Sequence, residues 1–249
     1  MTITITQSTD KDLSSILRWL KKEYDADEDG RGFYNNRRLI REGHREGTIT
    51  ILREDDKCVA FHLHGDILEV RPDKRRMGYG RALAEQWIEN STATAAYLFI
   101  ECAPSTSLHF WKKMGFKRIP DRSGLHTYAL RMLNKTFELP EAGEEVSVTI
   151  SFYPERAAYE KEKAVSPVAI HRPRAIRDGD HIKVSERLIC VQPDHHDDLV
   201  VKIEVDSEML YFDKAKYAKA LGIQRYRRGH YPAFYCDYLM MPETPVSAP

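Results

Sequence analysis

One stretch limits what this chain of 249 residues can fold into more than any other. Leu68-Glu69-Val70 reads as a short apolar strand, Arg71 to Met77 as a basic turn, and Gly78-Tyr79-Gly80-Arg81-Ala82-Leu83 as the opening of a helix. A strand that enters a helix through two closely spaced glycines curls tightly, because no side chains obstruct the backbone. Successive N–H groups and the positive end of the helix then converge on one point, which suits an anion. Arg71, Lys74, Arg75, Arg76 and Arg81 add formal charge around that point. The stretch therefore reads as a cradle for a pyrophosphate.

Two familiar phosphate loops do not fit these residues. A dinucleotide fingerprint requires a small residue where this chain has Leu83, and an acidic residue at a strand end about 20 positions further on. A P-loop requires Gly-Lys followed by Ser or Thr, which is absent. Arg75-Arg76-Met77-Gly78-Tyr79-Gly80 instead resembles motif A of the GNAT acyltransferase superfamily, Arg/Gln-x-x-Gly-x-Gly/Ala, preceded by that family's hydrophobic-x-Val-x-Pro strand. His109-Phe110-Trp111-Lys112-Lys113-Met114-Gly115-Phe116 is similar to its motif B, a helix that ends in Gly-Phe. One amphipathic helix and one apolar strand lie between the two motifs, as the resemblance requires.

Basic and acidic residues balance at 38 each, so no global field favours a nucleic acid or an anionic membrane. Cys58, Cys102, Cys190 and Cys236 are scattered, with no Cys-x-x-Cys pair, and read as buried, reduced thiols of a cytoplasmic protein. No segment approaches the roughly 20 apolar residues of a membrane span, so no membrane partner is expected.

The patterning predicts an α/β (α+β) chain, and the resemblance implies the GNAT fold over residues 1–133, with a central, mostly antiparallel mixed sheet flanked by helices. Expected elements are a strand over 2–7, a helix from Ser8-Thr9-Asp10 to about Tyr24, a helix over 33–46, and strands over 48–53 and 57–64. Gly65-Asp66 suits a hairpin into the glycine-turn strand. A helix to about Asn90, a strand over 96–101, a helix capped by Ser105 or Thr106, and strands over 116–119 and 126–133 complete the set. Residues 134–147, with Pro140, Gly143 and several glutamates, read as a linker. A smaller β-rich domain follows over 148–242. It has strands at 148–153, 182–184, 188–191 and 199–205, a helix over 213–221 stopped by Gly222, and an aromatic strand over 231–238. Residues 243–249 read as a flexible tail.

The resemblance implies acetyl-CoA or another acyl-CoA as co-substrate. Its pyrophosphate would sit on the backbone N–H groups of Arg76, Met77, Gly78, Tyr79, Gly80 and Arg81, with Arg75 beside them. Its pantetheine arm would run along Leu68, Glu69 and Val70. Transfer to an amine needs an unprotonated nucleophile, and a lysine of pKa about 10.4 is mostly charged at neutral pH, so a base helps. On the motif frame His64 falls where some protein acetyltransferases of the superfamily carry a glutamate base, and Asp66 and Glu69 are rivals. His62 and His64 alternate on one strand, but no third ligand accompanies them, and no metal is expected. Trp111 stands where many members carry a tyrosine near the CoA sulfur. An indole N–H donates a hydrogen bond but is no practical acid.

The acceptor stays open at this level: a protein amine, a small molecule or a nucleic acid, with a homodimer compatible. Two further clusters stand out in the second half. Asp194-His195-His196-Asp197-Asp198 reads as a solvated turn more readily than as a metal site, and Arg225 to Tyr231 mixes guanidinium groups with rings, as nucleic-acid binders do. An acyl-CoA-binding module without turnover and a nucleic-acid-binding protein are the competing functions.

Overall fold

Alternating Thr and Ile form β1 (Ile3–Gln7), which pairs antiparallel with β2 (Ile49–Glu54). Between them run α1 (Asp10–Ala26), a 3-10 turn over Phe33–Asn36, and α2 (Arg37–Arg45). Thr9 caps α1 and Asp12 answers it in a capping box, so Ser8-Thr9-Asp10 starts the helix as its residue types require. β3 (Lys57–Leu63) and β4 (Ile67–Val70) complete an antiparallel sheet of order β1-β2-β3-β4. Ile16, Trp19 and Leu20 of α1 cover one face, packing with Ile49, Ile51 and Phe61. The other face presents Leu52, Val59 and Ala60 to Tyr79 and Leu83 of α3 (Tyr79–Thr92). The computed structural model describes residues 2–27, 32–119, 124–159, 166–191, 199–228 and 231–241. The Asp194–Asp198 run and the expected tail over 243–249 lie outside the described residues.

The chain divides into two compact units, Met1–Ala93 with Ile100–Lys117, and Thr94–Phe99 with Arg118–Pro249. α4 (Leu108–Lys113) belongs to the first. It follows a 3-10 turn over Ser105–Ser107 and has no side-chain cap, so the expected capping by Ser105 or Thr106 is not made. β5 (Tyr97–Glu101) starts in the second unit and ends in the first; with β6 (Lys117–Ile119) and β7 (Tyr128–Met132) it forms a sheet of order β5-β7-β6.

The rest of the second unit is a β-sandwich. One sheet has the order β10-β9-β13-β14, from β9 (Val148–Pro154), β10 (Ala169–His171), β13 (Leu199–Val205) and β14 (Glu208–Lys214). The other has the order β15-β16-β12-β11-β8, from β8 (Glu144–Glu145), β11 (Ala175–Asp178), β12 (His181–Val191), β15 (Gln224–Arg228) and β16 (Tyr231–Met240). Leu188 and Cys190 point into the sandwich core, whereas Ile189 and Ala233 lie on the outer face with Ala96, Tyr97, Ile119 and Leu130. A strand buried on both faces has no polar alternation, which explains the continuous Leu188-Ile189-Cys190-Val191 run.

Several expectations change here. The two strands at 182–184 and 188–191 are one, β12, whose register with β16 shifts between Lys183 and Leu188. The stretch read as a linker is held at this irregularity: Phe137 N–H donates to Ser185 O (2.9 Å) and Arg187 N–H to Lys135 O (2.7 Å). β8 further pairs with β11. The helix expected over 213–221 is a 3-10 segment, Ala215–Leu221, broken at Ala218, because β14 extends to Lys214. Arg225-Tyr226 belongs to a strand, and the Tyr226 ring packs edge-on against Tyr97 at 5.1 Å instead of standing free to stack on a base.

Candidate active site

A cleft of about 470 Å³ opens in the first unit along β4, the edge strand of its sheet. Arg71 N–H donates inward to Val59 O (2.9 Å), so alternation turns the N–H and C=O of Leu68 and Val70 toward the open edge. Val70 confirms this direction: its N–H meets the Glu69 carboxylate (3.0 Å), and its carbonyl accepts from Arg75 Nε (3.1 Å). Leu68 carries the other outward pair. The side chains alternate too. Leu68 and Val70 pack on the α3 face, whereas Ile67 packs with α1, and Glu69 shares that face.

The glycine turn has the geometry expected of an anion cradle. Gly78, the N-cap of α3, is left-handed (φ 88°), as is Arg76 (φ 69°), and no side chain caps the helix. Ala82 N–H is the first taken by a helical carbonyl, Gly78 O at 3.0 Å, which leaves the amides of Tyr79, Gly80 and Arg81 at the helix mouth. Gly80 faces β4: a Cβ there would stand 3.3 Å from Val70 Cγ2 and 3.4 Å from Leu68 Cδ2. Bare backbone at this point and unsatisfied amides suit a phosphate that needs close approach.

The surrounding cations are mostly engaged with the protein itself. Lys74 pairs with Glu54, Arg71 with Asp73 (2.6 Å) and Arg81 with Glu85 (2.8 Å), while Arg75 meets both Glu23 (2.5 Å) and Glu69 (3.0 Å). Arg76 is exposed, with no ion pair among the described residues. Tyr79 packs into the first unit. Its ring is buried and its hydroxyl donates to Glu54 (2.6 Å), whose carboxylate pushes the phenol up to about 12.

Of the residues singled out in the sequence, Asp66, Leu68, Glu69, Val70, Arg75, Arg76, Gly78, Tyr79, Gly80, Arg81 and Trp111 line this one cleft. Met77 and His64 are exposed and do not line it; His64 sits at the β3–β4 hairpin with φ 36°. His62 lines it instead. Its ring is buried 4.8 Å from Trp87, and Nε2 accepts the Gly65 N–H at 2.8 Å. Burial raises the Glu69 pKa, and the Arg75 charge opposes that rise. Trp111 is held edge-on by Trp87 (6.2 Å) and Phe116 (5.1 Å). Sequence reasoning did not single out Phe33, Glu101 or Ser107 for the cleft wall, and no motif marks them. Cys102 is buried with its thiol pKa raised by burial, and all four cysteines are free. No group of metal-ligating side chains forms among the described residues.

Residues 5–116 match the family model described as the acetyltransferase (GNAT) family, and this stretch is a GNAT acetyltransferase domain. The whole cleft wall falls inside it. The match does not extend into the β-sandwich. Among solved structures, the chain is similar to the protein PH1933 of Pyrococcus horikoshii OT3 at 15% identity, covering 53% of this chain and 98% of that one with a TM-score of 0.45. A GNAT-family acetyltransferase of Bacillus cereus ATCC 10987 shares 20% identity over 53% of this chain and 98% of its own, at a TM-score of 0.43. The ribosomal-protein-S18-alanine N-acetyltransferase of Escherichia coli shares 17% over 57% and 100%, at a TM-score of 0.42. No curated protein matches the chain. No described helix is long and apolar enough to cross a membrane.

Proposed function

We propose that the protein is an N-acetyltransferase that moves the acetyl group of acetyl-CoA to a primary amine by direct attack on the thioester. The observation that carries this reading is that one cleft joins an uncapped, glycine-lined helix N-terminus to an open strand edge with the half-buried Glu69 carboxylate beside it. The amides of Tyr79, Gly80 and Arg81 would hold the pyrophosphate, and the outward N–H and C=O of Leu68 would order the pantetheine arm. The co-substrate supplies an activated acyl carbon and a thiolate leaving group of pKa about 8.5.

Glu69 is the base this reading favours. It lies on the α1 face of β4, opposite the face that carries the cradle, so an amine arriving on the α1 side meets the carboxylate as it reaches the strand edge. Burial makes that carboxylate a stronger proton acceptor than an exposed one. Asp66 lines the same wall and is the second choice; His64 is exposed at the hairpin, which disfavours it. Trp111 closes the cleft near the sulfur as an apolar wall and hydrogen-bond donor, and the thiolate takes its proton from water. The β-sandwich would contribute to acceptor choice, and the exposed pair Arg172 and Arg174 favours an anionic macromolecule. A cytoplasmic location fits four unpaired buried thiols.

Labelled acetyl-CoA incubated with cell protein, total RNA, DNA and a polyamine panel tests the reading. Label in one fraction, lost in Glu69→Gln, is expected; hydrolysis alone in every fraction would sink it. Trp111 in the tyrosine position is the observation behind a second reading, a module that binds acyl-CoA without turnover. Tight binding with no transfer to any fraction would favour it.

A further inference from the structure

Arg75 is the first residue of the glycine motif, and the sequence reading counts it among the groups around the pyrophosphate. Its guanidinium is committed elsewhere. Nη2 donates to Glu23 Oε1 at 2.5 Å and to Glu69 Oε1 at 3.0 Å, while Nε donates to Val70 O at 3.1 Å. Glu23 comes from the last turns of α1, beyond the Ile16, Trp19 and Leu20 that the helix gives to the core. Glu69 also accepts the Val70 N–H, so both outward groups of Val70 are bonded by neighbouring side chains. If Arg75 swung to a phosphate, two carboxylates would be left close together without a shared cation. Like charges brought together in a partly buried place are costly, which holds the arginine where it is.

We propose that Arg75 and Glu23 are positioning residues for acyl transfer: Arg75 fixes the Glu69 carboxylate at the edge of β4 instead of gripping the pyrophosphate, and Glu23 sets how much of the Arg75 charge Glu69 receives. This rests on the reading of Glu69 as the base. The two partners act on Glu69 in opposite directions. The guanidinium stabilises its ionised form, and Glu23 destabilises that form, both directly and by drawing on the same Nη2. The other titratable groups on the cleft wall are Asp66 on the approach to β4, His62 on β3, Glu101 at the end of β5, Tyr79 at the start of α3, and Lys74, Arg76 and Arg81 toward the glycine turn; Phe61, the cross-strand neighbour of Glu69, is apolar. The arrangement lets α1 tune the base without touching substrate.

The test titrates the Glu69 side-chain carboxyl by 13C NMR in the ligand-free full-length chain, assigned with Glu69→Gln, in wild type, Arg75→Met, Arg75→Lys and Glu23→Gln. In parallel, calorimetry gives the affinity of each variant for CoA. We expect the Glu69 midpoint to rise in Arg75→Met, fall in Glu23→Gln and return toward wild type in Arg75→Lys, with CoA affinity held within about threefold throughout. An unmoved midpoint in Arg75→Met, or a loss of CoA affinity of about tenfold or more there, overturns the proposal and returns Arg75 to the phosphate. The base reading fails separately. If Glu69→Gln transfers acetyl as fast as wild type while the midpoints move as stated, the clamp exists but orients no base, and the catalytic part of the proposal falls with that reading.

Discussion

Gly80 and Glu69 occupy opposite faces of one strand edge, and each is explained by what its neighbours leave no room for. At Gly80 even a Cβ is tight against Val70 and Leu68. A branched side chain would fill the approach that bare backbone keeps open. Gly80→Val is expected to weaken CoA binding by about tenfold or more, measured by calorimetry, with far-UV circular dichroism showing the fold retained. At Glu69 the chemistry sets the pH dependence. In the proposed role of base the carboxylate must be ionised to accept a proton, and burial raises its pKa. The rate should therefore climb with pH through a midpoint above the ordinary carboxylate value of about 4.3. Glu69→Gln is expected to flatten that limb and lower kcat by about a hundredfold with CoA affinity intact, and an unchanged profile would remove Glu69 from the mechanism.

Among the elements, α1 shows how a local sequence signal and a distant partner combine. Thr9 and Asp12 form the capping box, and Asp12 is also buried under Arg53 of β2, whose Nε reaches Oδ1 at 3.1 Å. Burial alone would raise the Asp12 pKa, but the bonds from Arg53 and Thr9 outweigh it and hold it below the usual range. A depressed folded-state pKa gives stability that is fully present above the unfolded value and is lost as pH falls through the folded one. Asp12→Ala should therefore cost about 3 kcal/mol in urea denaturation at pH 7, and its deficit against wild type should shrink in acid. A deficit that does not change with pH would show that the cap, not the charge, carries the effect.

For the whole molecule, the second unit makes the main prediction. The outer face of the β12 sheet packs on the β5-β7-β6 sheet through Ile189, Ala233 and Tyr226, and Arg187 crosses between them. Its Nε and Nη2 bind Asp237 at 2.6 and 2.7 Å, Nη1 donates to Ala95 O at 2.9 Å, and the guanidinium lies 4.9 Å from the Tyr235 ring. Arg187→Ala removes a buried cation and leaves a carboxylate and a carbonyl behind, at a cost of about 3–5 kcal/mol. A chain ended at residue 133 would expose the Tyr97 and Leu130 face altogether. It should aggregate or bind a hydrophobic dye, and a soluble, cooperatively unfolding fragment would show that the sandwich is dispensable to that sheet.

The sequence alone determined what depends on neighbours along the chain. Glycine spacing gave the tight turn into α3, capping residues gave the start of α1, and 3.6- and 2-residue periodicity gave the order of elements through β7. The turn into α3 and the β4 residues beside it were legible because a strand-turn-helix is a contiguous device. The second half was read poorly because β8, β10 and β11 are only 2, 3 and 4 residues long, its longer runs are apolar on both faces, and β12 is interrupted by an irregularity that only its partners reveal. Tertiary structure alone decided the rest: which histidine faces the cleft, where Tyr79 sends its hydroxyl, and that Arg75 is bound to carboxylates from α1 and β4. Those choices rest on contacts between residues far apart in sequence, where the energy depends on distance and burial that no local pattern encodes.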